Sequence, residues 1–311
     1  EFLLNGIEHG FDIIDPSVEI EQAHSQNYRS ATCPENKLKV EQQIQKEISE
    51  GRYVVTQDKP VLISALGAIP KPDSDELRLI HDCSQPKGKS VNDYVRYKQK
   101  LKYQTIQDAV ELLSPNAYLA KVDLKSAYRS VPISKFSRKA TGLQWTFVGD
   151  SKPTYLSNLT DSALLFGSSL APQIFSRLTQ AIRRMMKRRG YRIIAFLDDF
   201  LICEVTKDRC REALNTLMAL FRKLGFAINY NKVVMPTQKL CFLGINICSK
   251  SFTLELPQNK VEQFMDILVQ FSMKKRATLR QLQVLAGKLN WASSVVFGGR
   301  TFLKRILDTM R

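Results

Sequence analysis

The sequence is poor in the residues and runs that build zinc sites, disulfide frameworks and membrane spans. It contains three histidines and six cysteines, and the cysteines form no CxxC pair and have no histidine at zinc-finger spacing. No apolar run reaches membrane-spanning length, and no signal peptide heads the sequence. These absences predict a reduced intracellular protein, cytoplasmic or nuclear, with no membrane partner and no structural zinc.

Acidic residues are scarce as well. The chain has 46 Lys and Arg against 30 Asp and Glu, a net charge of +16 and a pI near 9.6. This balance favours polyanionic partners, of which nucleic acid is the leading class, although a basic surface that only confers solubility stays open. The 311 residues, 44% apolar, predict one enzyme-sized unit of two or three subdomains. Because the chain begins at Glu1, we expect a fragment of a longer polypeptide.

Hydrophobic periodicity predicts mixed helices and strands in the first half of the chain. The segment 36–50 has apolar residues at helical spacing and ends at Gly51. The stretches "VLISALGAIPK" and "ELRLIHD" predict two strands of a β-hairpin joined by "PKPDSD". The opening "EFLLNGIEHGFDII" is interpreted as a packed loop or an extended segment.

The second half predicts strands between long helices. "AYLAKVDL" reads as a buried strand, and a helix from Ala171 to just before Gly190 carries an apolar stripe of Ile174, Leu178, Ile182 and Met185. Its basic end fits either a solvated face or a phosphate contact. A strand, bend and strand at 191–204 precede a helix at 208–224, and three helical segments follow a boundary near residue 250.

Three acids stand out because each follows or interrupts an apolar strand. Asp123 ends "AYLAKVD", and Asp198 and Asp199 lie in the bend of "IIAFLDDFLICE". Mg²⁺ prefers oxygen ligands, and two such ions about 3.5–4 Å apart stabilise both oxygens of an in-line phosphoryl displacement. An ordinary turn is the alternative for the pair, weakened because hairpin turns usually recruit Gly or Asn.

Several motifs in one order resemble reverse transcriptases. They are "GAIPKPDSDELRLIHDCSQPKGKSVND", "VDLKSAY", "LLFGSSLAPQIF", "FLDD", "LGFAINYNK" and "CFLGINI", which together cover about residues 55–250. The resemblance extends most closely to retrotransposon enzymes of the long-terminal-repeat and tyrosine-recombinase (DIRS/Ngaro-like) groups. It implies an α+β right-hand polymerase with fingers, an antiparallel-sheet palm backed by helices at 171–189 and 206–224, and a helical thumb.

The resemblance implies roles for the acids and their neighbours. Asp123, Asp198 and Asp199 would be catalytic and would hold two Mg²⁺ ions, with Mn²⁺ as an alternative, and the carbonyl of Leu124 would be a further ligand. Lys232 would donate a proton to the leaving pyrophosphate, with a solvated lysine as the plain alternative.

It also implies a nucleotide site and a primer site. Lys71 and Arg78 match the basic pair that closes on the incoming triphosphate, although an exposed strand residue also explains Arg78. Tyr128 matches the steric gate against a ribose 2′-OH, with a core tyrosine as the alternative. The remaining assignments are Phe166 and Gly167 at the nucleotide and Leu243 and Gly244 in the primer grip. Thumb cations would track the duplex backbone: Lys274, Lys275, Arg276, Arg280 and Lys288.

The sequence departs from the retroviral pattern in two aromatic positions. Phe196 stands where many retroviral enzymes have Tyr before the Asp pair, and Phe166 stands where they often have Gln. The expected subdomains are an N-terminal extension (1–35), fingers with part of the palm (36–120), palm with an interleaved fingers segment (121–250) and thumb (251–311). An RNase H domain is expected downstream in a polyprotein or not at all.

The resulting hypothesis is an RNA-directed DNA polymerase, a nucleotidyltransferase that adds dNTPs to a primer 3′-OH on an RNA or DNA template as part of a retrotransposon polyprotein. A two-metal nuclease or transposase core would use three acids but would not call for Lys71, Arg78 or Tyr128. A domesticated or inactive derivative that only binds nucleic acid is the second alternative.

Overall fold

The structure, a computed structural model, describes residues 1–70, 75–95, 101–157 and 164–310. Elements of the first half are α1 (Phe2–His9), β1 (Ala23–His24), α2 (Arg29–Thr32), α3 (Pro34–Ser49), β2 (Val54–Thr56), β3 (Leu62–Ile63), β4 (Ala65–Pro70), β5 (Leu77–Asp82), α4 (Ile106–Leu112), β6 (Tyr118–Asp123), α5 (Lys135–Arg138), β7 (Leu143–Trp145) and β8 (Thr154–Ser157). Those of the second half are α6 (Ala171–Arg188), β9 (Ile193–Phe196), β10 (Asp199–Glu204), α7 (Lys207–Lys223), β11 (Val234–Thr237), β12 (Lys239–Phe242), β13 (Ile245–Cys248), β14 (Thr253–Glu255), α8 (Gln258–Ser272), α9 (Leu279–Ala292) and α10 (Gly299–Thr309).

A four-stranded antiparallel sheet in the order β11-β6-β10-β9 forms the centre of the molecule. Successive side chains of a strand point to opposite faces, so each strand supplies two cores. Ala120, Val122, Phe200 and Ile202 belong to one apolar core, together with residues of α6 and α7. The opposite face contributes to a second core, built with β12, β13 and α4 from Leu119, Ile194, Leu201, Phe242 and Ile247. Burial on both faces explains why β6 and β10 are nearly continuous apolar runs.

The helices behind the sheet begin and end where the sequence predicts. Pro172 stands in the first turn of α6, where its missing N–H costs nothing. The Thr206 side chain accepts a hydrogen bond from the backbone N–H of Arg209 and so caps α7. The predicted α6 stripe is right at Ile174, Leu178 and Ile182 but wrong at its end. Met186 is fully buried and Met185 is exposed, because the stripe continues at a four-residue step.

Strand β9 lies at the edge of the sheet, beside the Asp pair. Its Ala195 N–H donates to Gln104 Oε1 at 3.0 Å, and Gln180 Nε2 donates to the Ala195 carbonyl at 3.2 Å. Side-chain amides thus satisfy backbone groups that a neighbouring strand would otherwise occupy, which stabilises an exposed edge.

The predicted hairpin is confirmed as β4 paired antiparallel with β5, and a three-stranded sheet β2-β8-β7 lies in the same part of the molecule. Helix α3, also as predicted, contributes Val40 and Ile44 to a separate apolar core with Leu66 and Trp145. This core is independent of the two cores of the central sheet. The β4–β5 hairpin therefore packs on a separate apolar core.

The N-terminal segment differs from the prediction. Residues 2–9 form helix α1 rather than a loop or extended segment. The chain after it is extended, and Phe11, Ile13 and Ile14 are fully buried in the core shared with the central sheet. Phe11 also forms a parallel β-bridge with Ile133. The segment after α1 is consequently part of the central core, whereas most of α1 is exposed.

The C-terminal part consists of a small sheet and three helices, as the periodicity predicts. Strands β12, β13 and β14 form an antiparallel sheet, followed by α8, α9 and α10. Thr278 and Gln281 form a reciprocal capping box at the start of α9. Among the described residues, no helix is long and apolar enough to cross a membrane.

Candidate active site

Two of the three acids face each other across the central sheet. Asp123 is the last residue of β6 and Asp199 the first residue of β10, and the two are direct cross-strand partners. The backbone N–H of Leu124 donates to the carbonyl of Asp198 at 3.1 Å, which brings the third acid to the same edge. The folding of β6 against β10 thus assembles acids that are far apart in the sequence.

The turn that carries Asp198 is strained. Because Phe196 pairs with Asp199, Leu197 and Asp198 are left as a two-residue turn between β9 and β10. Leu197 adopts a positive φ of 50°, a region that non-glycine residues rarely enter. Such a residue costs on the order of 1–3 kcal/mol and persists only where the surrounding packing holds it. The buried strands on both sides supply that packing.

The acids disfavour each other's charge. Burial raises the pKa of Asp198, and the nearby carboxylates of Asp199 and Asp123 raise it further. The site is therefore a place where negative charge accumulates at a cost, which is the condition that a bound divalent cation relieves.

Two lysines form ion pairs with these carboxylates. Lys232 Nζ is 3.2 Å from Asp123 Oδ2, and Asn229 Nδ2 donates to Asp123 Oδ1 at 3.0 Å. Lys121 Nζ is 3.0 Å from Asp199 Oδ1. With the side chains turned to these partners, the described residues contain no group of three His, Cys, Asp or Glu side chains close enough to hold a metal ion. The predicted acids are neighbours, but their carboxylates do not converge on one point.

The donor chemistry of the site nevertheless fits a hard divalent cation. Leu124 and Ile228 form an antiparallel bridge whose hydrogen bonds run from Lys125 N to Ala227 O and from Asn229 N to Asp123 O. In this arrangement the N–H and C=O of Leu124 point away from Ile228, toward the side on which Asp198 lies. Carboxylate and carbonyl oxygens are thus available at the one edge, and these are the ligands that Mg²⁺ prefers.

Tyr128 and Phe166 are brought together beside the acids. Tyr128 lies in a 3₁₀ turn, Ala127–Ser130, directly after β6. Its ring packs edge-on against Phe166, with centroids 4.8 Å apart, and against Phe175 at 5.1 Å. Burial raises the pKa of the Tyr128 hydroxyl to about 12, and Asp198 adds to the shift. Phe166 is half exposed, so the pair offers an aromatic wall that is partly open to solvent.

Gly167 is positioned against the β4–β5 hairpin. Its φ is +109°, and a Cβ at this position would lie 2.2 Å from the carbonyl oxygen of His81 in β5. Asn92 bridges the contact, since its Nδ2 donates to the Gly167 carbonyl at 3.1 Å and its Oδ1 accepts from the Ser169 N–H at 2.7 Å. A glycine is required at this position because the two backbone segments approach each other too closely for a Cβ.

The proposed basic pair is described only in part. Arg78 lies in β5 opposite Ile69 and is exposed, near the outer end of the hairpin. Lys71 lies outside the described residues. The pairing of these two cations therefore stays a prediction.

Leu243 and Gly244 form the turn between β12 and β13. Both have positive φ, 49° and 79°, the signature of a type I′ hairpin turn. The Leu243 side chain packs against the core that contains Leu201 on the face of the palm sheet. A Cβ on Gly244 would lie 3.1 Å from the Trp291 ring, so helix α9 presses on this turn.

The sequence did not single out Lys121, Asn229 or Asn92. Lys121 is two residues before Asp123 and therefore on the same face of β6, a signal that the strand period contains. Asn229 lies inside the quoted motif "LGFAINYNK". Asn92 also lies inside a quoted motif, at the end of "KGKSVND", but only its folded contacts with Gly167 and Ser169 show what it does.

A comparison with protein families matches residues 69–247 to the family described as "Reverse transcriptase (RNA-dependent DNA polymerase)". The chain belongs to the reverse transcriptase family. The matched region contains Asp123, Asp198 and Asp199 together with the Gly167 contact and the β12–β13 turn. Family membership confirms the coarse part of the resemblance drawn from the motifs.

Viral proteins are among the relatives of this reverse transcriptase domain. It is 22% identical over 238 residues to "Protein P" of duck hepatitis B virus (strain Germany/DHBV-3), a match that covers 75% of this chain and 28% of that protein. It is 24% identical over 153 residues to the "Gag-Pol polyprotein" of avian reticuloendotheliosis virus, covering 47% of this chain and 13% of the polyprotein. The chain thus spans about a quarter of the length of the hepadnaviral relative that it matches.

Solved structures show the same fold. The foamy viral protease-reverse transcriptase in complex with dsDNA matches with a TM-score of 0.74 at 18% identity, over 96% of this chain and 56% of that one. The foamy viral enzyme in complex with an RNA/DNA hybrid matches with a TM-score of 0.66 at 16% identity, over 96% and 40%. The likeness confirms the α+β right-hand polymerase fold.

The contact at Gly167 predicts a difference between two glycine substitutions. Gly167→Ala forces a Cβ against the His81 carbonyl, whereas Gly149→Ala has a similar φ of +91° and nothing within 4 Å. Positive φ alone costs an alanine on the order of 1 kcal/mol. We expect Gly167→Ala to lower the unfolding free energy in urea clearly more than Gly149→Ala does. Equal losses would contradict the contact.

The buried acid predicts a conflict between charge and stability. Because the folded-state pKa of Asp198 is raised, the unfolded chain releases this proton more readily, and rising pH favours unfolding. Asp198→Asn should therefore raise the melting temperature in EDTA at pH 7 and lose this advantage at pH values below the ordinary carboxyl pKa. A lower or unchanged melting temperature at pH 7 would refute the electrostatic cost.

Proposed function

We propose that the chain is an RNA-directed DNA polymerase that adds dNTPs to a primer 3′-OH by two-metal phosphoryl transfer. The observation that carries the proposal is the cross-strand pairing of Asp123 with Asp199, with Asp198 tied to the same edge by the Leu124 N–H. Family membership and the right-hand fold give the same reaction class.

Two Mg²⁺ ions, or Mn²⁺ in their place, would be held by Asp123, Asp198, Asp199 and the Leu124 carbonyl. When bound, the metals lower the charge of the reacting phosphates and orient the attacking and leaving oxygens. The chain's own residues hold the carboxylates at the sheet edge and provide cations beside them. Lys232, which already contacts Asp123, stands where it could deliver a proton to the leaving pyrophosphate.

The nucleotide would lie against the aromatic wall of Tyr128 and Phe166. The half-buried Tyr128 ring would leave no room there for a ribose 2′-OH and would favour dNTPs over rNTPs. Gly167, behind the wall, would set its distance from the fingers, and Lys71 and Arg78 would close on the triphosphate.

Template and primer would follow the basic thumb and the β12–β13 turn. The thumb cations are all exposed, as phosphate contacts require: Lys274, Lys275, Arg276, Arg280 and Lys288. Leu243 and Gly244 would steady the primer end. The foamy viral enzyme is found in complex with dsDNA and with an RNA/DNA hybrid, which supports the same partners here.

The biological context is also a proposal. We infer a retrotransposon polyprotein of the DIRS/Ngaro-like or long-terminal-repeat kind, with an RNase H domain downstream and the subdomain limits given by the sequence. The Gag-Pol relative supports a polyprotein origin. A domesticated derivative that binds nucleic acid without polymerising is the competing function, and the strained turn at Leu197 speaks against it, because a binding module has no need of that strain.

Primer extension tests the polymerase directly. The parent protein should extend a DNA primer on an RNA template with dNTPs and Mg²⁺, and Asp198→Asn should lose at least about 100-fold in rate, the scale of removing one electrostatic element of a transition state. Lys239→Met, which alters a surface lysine paired with Glu255, serves as the control and should extend normally. Equal extension by the parent and Asp198→Asn, or nucleic-acid binding without extension by the parent, would refute the polymerase.

The Tyr128 gate has its own test. Tyr128→Ala opens the space beside Phe166 and should reduce the preference for dNTPs over rNTPs, measured as the ratio of kcat/KM values. Tyr128→Phe keeps the ring and should retain the preference. Unchanged discrimination in Tyr128→Ala would remove the gate and leave Tyr128 as a packing residue.

A further inference from the structure

Lys121 occupies an unusual position in the central sheet. Leu119, Lys121 and Asp123 follow one another on the same face of β6. Leu119 is fully buried in the core formed with β12 and β13, and Asp123 lies at the active site. Lys121 lies between these two residues on the same face, opposite Leu201 on β10 and Val234 on β11. Its side chain is only 18% exposed, which is uncommon for lysine.

The ammonium group of Lys121 reaches across to the neighbouring strand. Since Lys121 pairs with Leu201 and Asp123 pairs with Asp199, Lys121 and Asp199 are diagonal neighbours on one face. The apolar stem can lie along the sheet while Nζ approaches Asp199 Oδ1 to 3.0 Å. The Asp199 side chain is itself only 23% exposed, so water screens this pair less than a surface pair.

We propose that Lys121 is an internal counter-cation of the active site, which neutralises Asp199 while no metal is bound and competes with a divalent cation for that carboxylate. The proposal rests on the proposed function in one respect, that Asp199 is a metal ligand. It makes Lys121 a positioning residue that sets how strongly the site binds metal, not a residue that touches the substrate.

The charges of the site give the reason. Asp123, Asp198 and Asp199 lie at one edge of the sheet, where their negative charges repel one another, and the ammonium groups of Lys121 and Lys232 pair with Asp199 and Asp123. Without Lys121, the metal-free protein would hold an uncompensated Asp199 beside the other acids. The same ammonium would repel a divalent cation at this site, and Asp199 could serve as a ligand only by giving up its contact with Lys121.

The two lysines differ in how freely their ammonium groups can move away from the carboxylates. The Lys232 side chain is 61% exposed and can swing into solvent when a metal takes Asp123. Lys121 is held between Leu201 and Val234 and stays near the site. Lys121 therefore keeps its charge within reach of the metal, and its removal should have the larger effect on metal affinity.

The test compares Lys121→Met with Lys121→Arg, which retains the charge, and with Lys239→Met. Lys239 Nζ pairs with Glu255 at 2.7 Å in the small β12–β14 sheet, so its loss breaks a lysine–carboxylate pair outside the site. Melting temperatures are measured in EDTA and across a Mg²⁺ or Mn²⁺ titration, which requires no polymerisation. Primer extension against Mg²⁺ concentration is a second readout.

We expect Lys121→Met to melt lower than the parent in EDTA and to gain more from added metal. Its half-saturating Mg²⁺ concentration should be about thirtyfold lower, the factor for a unit charge about 4 Å from a divalent cation in a medium as polar as water. Lys121→Arg should behave as the parent, and Lys239→Met should leave the metal-induced gain unchanged. Should Lys121→Met fold poorly, Lys121→Met with Asp199→Asn should recover the melting temperature in EDTA, because the uncompensated charge is gone.

Two outcomes would overturn the proposal. The first is a metal-induced gain in Lys121→Met no larger than that of the parent. The second is additive losses of stability in EDTA when Lys121→Met and Asp199→Asn are combined. Both are read from melting curves, whereas the polymerase proposal fails on the absence of primer extension, so the two failures are separate results.

Discussion

The antiparallel pairing of β6 with β10 is the constraint on which the rest of the structure depends. It places Asp123 opposite Asp199, and a slip of one residue would turn Asp199 to the opposite face of the sheet. The register is set by packing rather than by the acids, because Val122 lies opposite Phe200 and both are fully buried against α6 and α7. The apolar core therefore determines where the charges lie.

That placement creates an electrostatic cost which the neighbouring residues offset. Burial and mutual repulsion raise the pKa of Asp198, and Leu197 holds the turn in a strained conformation. Asn229 and Lys232 on Asp123, and Lys121 on Asp199, reduce the cost without removing it. At such a site the charged and strained groups that serve function lower the stability of the folded protein. The central strands are buried on both faces of the sheet, and this burial supplies the stability that the site lacks.

The sequence predicts what is local and misses what is tertiary. The β4–β5 hairpin, the long helices α6 and α7 and the Asp turn follow from periodicity and turn chemistry, and the structure contains them at nearly the predicted limits. The acids stand out because each follows or interrupts an apolar strand, and the order of the surrounding motifs implies their catalytic role. Helix α1 depends on what packs against it, which no window of sequence contains. The helical period favours Met186 over Met185, and the strand period puts Lys121 on the face of Asp123, but only the folded structure shows that Lys121 pairs with Asp199.

The contact at Gly167 joins the fingers to the active site. His81, whose carbonyl meets Gly167, is three residues from Arg78 on β5, about 10 Å along the strand. Phe166, adjacent to Gly167, packs on Tyr128, which follows β6 and its Asp123. The β4–β5 hairpin is therefore connected to the aromatic wall through two backbone segments in direct contact. Arg78, at the outer end of this hairpin, is tied to the acids by a path of packed groups rather than by a flexible side chain, because Gly167 and the His81 carbonyl leave no space for one between them.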